Sequence, residues 1–350
     1  MVKSIVKTSI ETTREGNVLV FDPSRTFGNK KTMGMQYKGS AVIDGKEQFV
    51  KLDVINPEVK GRWENHFDYE NSSVTESIVG ALVKNMDADP NFESVIYTFG
   101  EFQTPTRKFT GTYSENFLRE NEIEMILSTS TQSDAHTTCS LDEYVESVID
   151  TNPENRYNHL LSLFKEQNID EAAAKKFLVQ QAGFDILTGN RDRVNNPSNF
   201  IFAHNVDTGE TRPINMDYGR CLRMSMWSKH MESVYDFDDK EFYDEDLEDN
   251  SNDMISNNDS IFRGNKVIDS KEQLEKHGFE PFKINMDGLY ADLDTLMSDI
   301  EASELPCKKY AKMKVEAFKE IFNKPQTRFM WQDTSMTLDL DDLEEQGKML

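Results

Sequence analysis

Near Tyr113 the chain changes its period. Upstream, short runs of β-branched and aromatic residues are separated by turn residues; downstream, apolar residues recur every three or four positions. Strands first and helices after argue for an α+β fold, not an alternating α/β sheet. A length of 350 residues is sufficient for two lobes. The expected layout is a β-rich lobe over residues 1–113, a mostly helical lobe over 114–333 and an acidic tail over 334–350, with a cleft between the lobes.

In the first half the sequence predicts strands at Val18–Phe21, Met33–Ile43 and Gln48–Val54, the last two joined as a hairpin by Asp44-Gly45. A helix should run from Ser72 or Ser73 to about Met86, with Ile78, Val79, Leu82, Val83 and Met86 on one face and Glu76 in its first turn. Strands follow at Ser94–Phe99 and Lys108–Tyr113. In the second half, Ser128–Ser140 reads as a loop, and helices are expected at Leu141–Ile149, Asn158–Glu166, Asp170–Leu187, Asp287–Ala302 and Tyr310–Asn323. Two short strands should flank an Asp207-Thr208-Gly209 turn. Residues 235–259 are crowded with Asp, Glu, Asn and Ser, the composition of a flexible acidic insertion.

Charge narrows the function classes. Lys and Arg number 39 against 63 Asp and Glu, a net charge of -24, and a field of that sign repels phosphate backbones. Nucleic acid is therefore excluded as the main partner. Any site for a small polyanion must bring its own lysines, main-chain amides and metal ions. Three scattered cysteines, Cys139, Cys221 and Cys307, suit neither a disulfide framework nor a zinc cluster and point to a reducing, cytoplasmic setting. Met1–Gly16 has no apolar core of a secretion signal, and no run approaches a membrane span or forms a basic membrane-facing patch.

One segment carries chemistry. Gly189-Asn190-Arg191-Asp192-Arg193 is followed by Asn199-Phe200-Ile201-Phe202 and then by Asp217-Tyr218-Gly219. If the Asp207–Glu210 turn closes a hairpin, Asn199 faces Met216 or Asp217, and Asp192 lies a short loop upstream. Two carboxylates and an amide oxygen then converge, hard donors suited to Mg²⁺. Phosphoryl transfer needs such a metal site, a group to orient the attacking hydroxyl, and cations on the phosphates. The cations are present upstream. Lys51 sits in the apolar strand Gln48–Leu52 and needs a partner, for which Glu76 on the following helix is placed. Gly28, Lys30 and Lys31 lie in a turn-prone basic stretch, Phe27–Gly34, that could cover phosphates.

With these parts in this order, the chain resembles the HipA-like bacterial protein kinases, particularly their short, CtkA-like type, over roughly Arg25 to Leu222. The resemblance implies ATP and Mg²⁺ as cofactors and a protein serine/threonine as acceptor. It implies that Asp192 orients or deprotonates the acceptor hydroxyl, that Asn199 and Asp217 bind Mg²⁺, and that Lys51, braced by Glu76, holds phosphate. The segment Ser114–Leu118, with Glu115 and Phe117, would contact adenine. Val194 stands where the family has His, and Asn199 comes seven residues after Asp192 where the family has five, so Asn195 and Asn196 remain alternative ligands. The resemblance also brings in self-phosphorylation, for which Gly28–Gly34 offers only Thr32, and an antitoxin-like partner, although the early Asp192 leaves no room for the amino-terminal subdomain of full-length toxins. Kinases of lipids or small molecules and a nucleotide-binding interaction module are the alternative functions.

Overall fold

The computed structural model describes residues 9–15, 18–21, 36–43, 46–55, 72–89, 92–103, 108–115, 117–124, 153–190, 200–219, 221–223, 274–275, 277–305, 308–325 and 327–335. The fold is α+β. Six strands, β1 (Ser9–Glu15), β2 (Val18–Phe21), β3 (Gln36–Ile43), β4 (Lys46–Ile55), β5 (Thr98–Gln103) and β6 (Lys108–Glu115), form a closed barrel in the order β1-β2-β5-β6-β4-β3. The β3–β4 hairpin forms as expected, with Ile43 opposite Lys46 as a two-residue Asp-Gly connection requires. Closure comes from two parallel pairings, β1 with β3 and β2 with β5.

Helix α1 (Ser72–Lys84) follows β4 in the chain and is buried on all sides over its first three turns. A helix without a solvent face belongs between layers. On one side it meets β4, β5 and β6; on the other it meets α4 (Met286–Ala302) and α5 (Lys308–Ile321). Helix α2 (Pro153–Glu166) and helix α3 (Glu171–Thr188) complete the described helices, with β7 (Glu122–Glu124), β8 (Phe200–Asn205) and β9 (Thr211–Asn215) as a three-stranded sheet. Strands β10 (Phe282–Ile284) and β11 (Trp331–Asp333) pair in parallel.

Helix α3 shows how the sequence sets its own limits. Asp170 caps its start by accepting the N–H groups of Ala172 and Ala173 at 2.9 and 3.1 Å. Gly189, at φ 57°, closes its end in the left-handed conformation. Between these caps it is buried from Phe177 to Asp185 without a break, and Phe177 and Phe184 join Phe92, Phe164, Phe200, Phe202 and Phe282 in a linked group of rings 5.2–5.8 Å apart.

Several expectations shift. The strand expected at Ser94–Phe99 lies four residues later, because Gly100 continues β5 and packs beneath the Tyr113 ring. Ser94 instead bridges Asn215, with the Val95 N–H donating to the Asn215 carbonyl at 3.0 Å. Glu76 is not in the first turn of α1, since the helix opens at Ser72. Helix α2 begins five residues before Asn158, α5 starts two residues before Tyr310, and β1, β7, β10 and β11 were not anticipated. The expected loop at Ser128–Ser140, the helix at Leu141–Ile149, the acidic insertion and the acidic tail lie outside the described residues. Among the described residues no helix is long and apolar enough to cross a membrane.

Candidate functional site

The site forms where one face of the barrel meets α1 and the end of the β8–β9 hairpin. Strand period places Phe49, Lys51 and Asp53 on one face of β4. Across the ladder β6 sets Ser114 opposite Phe49 and Thr112 opposite Lys51. The side chain of Lys51 is 3% exposed, and its Nζ pairs with Glu76 Oε1 and with Asp217 Oδ1, the latter at 2.9 Å. Thr112 Oγ1 donates to the second oxygen of Glu76 at 3.0 Å. A fully buried carboxylate thus has a cation on one oxygen and a hydroxyl on the other, the condition under which buried charge is tolerated.

Burial alone would lower the Lys51 pKa, but the carboxylates of Asp217 and Glu76 outweigh it and hold the ammonium above its ordinary value. For Glu76, burial pushes the carboxyl above the usual range, and Lys51 and Thr112 pull against that rise. The lysine therefore carries a permanent positive charge in a place from which water is largely removed. In such a place a charge interacts with its neighbours far more strongly than in bulk solvent.

Asp217 is reached by a different route. Phe200 lies opposite Asn215 and His204 opposite Thr211, so the hairpin's register places Asp217 two residues beyond its last pair. Asn215 is buried; its N–H donates to the Glu93 carbonyl at 2.8 Å and its side-chain oxygen accepts from Gln181 at 3.0 Å. The Tyr218 hydroxyl donates back to the Asn215 carbonyl at 3.0 Å. Between them Asp217 adopts a left-handed φ of 62°, which Asp tolerates better than most residues, and its carboxylate turns toward Lys51. Its side chain remains 32% exposed, so the carboxylate spans from the buried pair to the open side. Gly219 has a packing reason to be glycine: a Cβ there would stand 2.7 Å from Ser72 Oγ at the start of α1.

Gly189 and Asn190, the first two residues of the Gly-Asn-Arg-Asp-Arg segment, close the end of α3. Asn190 is buried and donates to the Asp185 carboxylate at 3.1 Å. The 3₁₀ turn Cys221–Arg223, which follows Asp217-Tyr218-Gly219, brings the Cys221 thiol 3.7 Å from Thr188 Oγ1 at the end of the same helix. Cys221 and His204 serve packing and pairing, the latter through a 3.0 Å contact with Thr211. Asp192, Asn199, Gly28, Lys30 and Lys31 lie outside the described residues, as do Asn195 and Asn196. Among the described residues no group of three or more His, Cys, Asp or Glu side chains is placed to hold a metal ion.

The segment after β6 is anchored firmly. Glu115 ends the strand, exposed, opposite Gln48. Phe117 is half-buried, and its ring stands edge-on to Phe49 at 6.4 Å. Its carbonyl accepts from Arg212 Nη2 at 2.8 Å, and the same guanidinium binds both oxygens of Glu122, at 2.8 and 2.7 Å. Phe49 was not anticipated as part of the site, although its position two residues before Lys51 puts both on one strand face.

Sequence reasoning also missed Asp53. Its Oδ1 accepts the Ser73 N–H at 3.0 Å, and its Oδ2 accepts the Ser73 hydroxyl and, at 2.8 Å, the Thr110 hydroxyl. Burial pushes its carboxyl up to about 7, against the pull of these hydrogen bonds and with some help from the Glu76 charge. An acid two residues after Lys51 in an apolar strand was the available signal.

No protein-family model matches the chain, and no curated protein matches it. Among solved structures it is similar to the proinflammatory kinase CtkA of Helicobacter pylori, at 15% identity over 82% of this chain and 90% of that one, with a TM-score of 0.45. It is also similar to the Golgi casein kinase, at 12% identity over 92% of this chain and 71% of that one (TM-score 0.30), and to that kinase with Mn and ADP bound, at 10% identity over 92% and 72% (TM-score 0.29). Chains this far apart in sequence share few side chains, and what the site can do rests on Lys51, Glu76 and Asp217 themselves.

Proposed function

We propose that this chain is a protein-kinase-type phosphotransferase that passes the γ-phosphoryl group of ATP to a serine or threonine hydroxyl of a protein in the cytoplasm. The observation that carries this reading is the buried Lys51 ammonium held between Glu76 of α1 and Asp217 of the Asp-Tyr-Gly segment. A lysine fixed in this way has its charge secured and its position set before any phosphate arrives, which is the preorganisation that phosphoryl transfer requires. Asp217, partly open and oxygen-only in its donors, suits a hard divalent cation together with an amide oxygen from Asn199, Asn195 or Asn196. A bound Mg²⁺ would supply charge neutralisation on the phosphates.

In this reading Asp192 accepts the proton of the acceptor hydroxyl while its oxygen bonds to the γ-phosphorus and the bond to the β-phosphate oxygen breaks, leaving ADP. Gly28, Lys30 and Lys31 cover the phosphates. Phe49 and Phe117 supply an apolar wall for adenine, beside the main chain near Glu115.

The test is incorporation of labelled γ-phosphate into the protein and a generic basic acceptor, comparing wild type with Asp192→Ala and Asp217→Ala at equal thermal stability. Incorporation lost in both variants is the expected result. A wild type that neither binds nucleotide nor transfers phosphate would overturn the reading. A wild type that binds ATP but transfers nothing would make the chain a nucleotide-binding interaction module, which Val194 and the long Asp192–Asn199 spacing favour.

A further inference from the structure

Helix α1 is attached to β4 at two points. The first is the Lys51–Glu76 pair. The second is Asp53, on the same face of the same strand, which takes the main-chain N–H and the hydroxyl of Ser73. Ser73 and Glu76 are three residues apart on α1 and Lys51 and Asp53 two apart on β4, separations of roughly 4.5 Å along a helix and 6.6 Å along a strand. The two attachments are therefore neighbouring rungs between two rigid elements. Strand β6 supports each with a hydroxyl, Thr110 on Asp53 and Thr112 on Glu76.

Helix starts are ordinarily capped by the residue just before the first turn. In α1 the Ser73 N–H is taken by a carboxylate 20 residues upstream, on the strand that also presents Lys51. That origin has a mechanical consequence. To the packing that already surrounds α1, the second rung adds a polar hold on both the rotation and the slide of its first turn against β4. Gly219 lies against Ser72 at the same helix end, so the first turn of α1 also touches the segment that carries Asp217.

We propose that Asp53 is a positioning residue: by gripping the first turn of α1 from strand β4, it sets Glu76 against Lys51 and so holds the Lys51–Glu76–Asp217 arrangement in its working geometry. This deepens the phosphotransferase reading and rests on it for its functional consequence. Its structural half, the control of Lys51 by Asp53, can be read without any phosphate transfer.

The experiment uses the full chain and two readouts: the rate at which an amine-reactive reagent modifies Lys51, followed by peptide mass spectrometry, and kcat and KM for ATP in the transfer assay. Asp53→Ala should expose Lys51 to modification about tenfold faster and lower kcat by a similar factor, as expected for the loss of buried side-chain hydrogen bonds. Asp53→Asn should restore both, because the amide keeps an acceptor for the Ser73 N–H and a donor for the two hydroxyls. Thr110→Val, which removes one support of Asp53, should move both readouts in the same direction by less, and it decides the matter if Asp53→Ala fails to fold. Unchanged Lys51 modification in Asp53→Ala, or in Thr110→Val if the former does not fold, would overturn the proposal, and reduced thermal stability alone would leave Asp53 as an ordinary cap. A wild type without transfer activity would sink the phosphotransferase reading while the Lys51 modification contrast still judged Asp53.

Discussion

Two buried regions meet along α1, and they are held together by opposite means. Toward the helical part, Val74, Ile78, Val79 and Leu82 join a core in which linked phenylalanine rings pack edge to face or tilted. Toward β4 and β6, the same helix buries Ser73 and Glu76 against Lys51, Asp53, Thr110 and Thr112. Dispersion and apolar burial are tolerant: a ring keeps most of its contacts if a neighbour shifts slightly. A buried carboxylate has no such latitude, because each missing donor leaves an uncompensated charge. The apolar region thus supplies stability, and the polar row supplies a defined position for one cation.

That contrast can be broken most severely at Lys51. Lys51→Met should reduce γ-phosphate transfer by about 10³-fold or more, and it should cost about 3–5 kcal/mol of stability by leaving Glu76 buried and unpaired, both checked by kinetics and denaturant unfolding. Adding Glu76→Leu should return the unfolding midpoint close to wild type while transfer stays absent, since a buried pair replaced by apolar groups is commonly neutral or better. Recovered stability with recovered transfer would mean that the row is a structural feature only.

In the other region, Phe164→Ala should cost about 3–5 kcal/mol as a cavity opens among Phe177, Phe200 and Phe202. Transfer per folded molecule should remain unchanged, as judged by activity normalised to the folded fraction. At the seam between the regions, Gly219→Ala drives a Cβ toward Ser72 and should lower kcat about tenfold with a shift of only a few degrees in melting temperature.

The smallest effect is in pH. Asp53 has a folded-state pKa near 7, raised above its unfolded value, so its protonated form favours folding. The contribution is fully present below the unfolded pKa of about 4 and is lost as pH rises through about 7. Wild type should therefore lose a few degrees of melting temperature between pH 4 and pH 7 relative to Asp53→Asn. Parallel curves for the two proteins would show that Asp53 does not titrate in that window.

Much of this was legible from local pattern. The Asp-Gly hairpin, the capped helix from Glu171 to Thr188 and the β8–β9 hairpin are set by residues next to one another in the chain, and each forms where the sequence predicts it. The Lys51–Glu76 contact was also readable, because a lysine in an apolar strand must find an acid. The closure of the barrel was not. It depends on parallel pairing of β1 with β3 and of β2 with β5, and such pairings leave no turn signal. Gly100 hid the true extent of β5 because glycine in a strand reads as a break. Asp53 shows the same signal as Lys51, a charge in an apolar strand, but its partners are a main-chain N–H and two neutral hydroxyls, which no opposite charge in the sequence announces.

The barrel's closure also bears on how the molecule meets others. An open sheet ends in a row of unpaired amides and carbonyls that invites another chain to add a strand, and the pairing of Ser9–Glu11 with Ser40–Val42 takes up part of that row. Strand augmentation, a common way for a peptide substrate or a second copy to bind a β-rich surface, is thereby denied along that seam. A protein that docks there must recognise the barrel through side chains, and so through sequence.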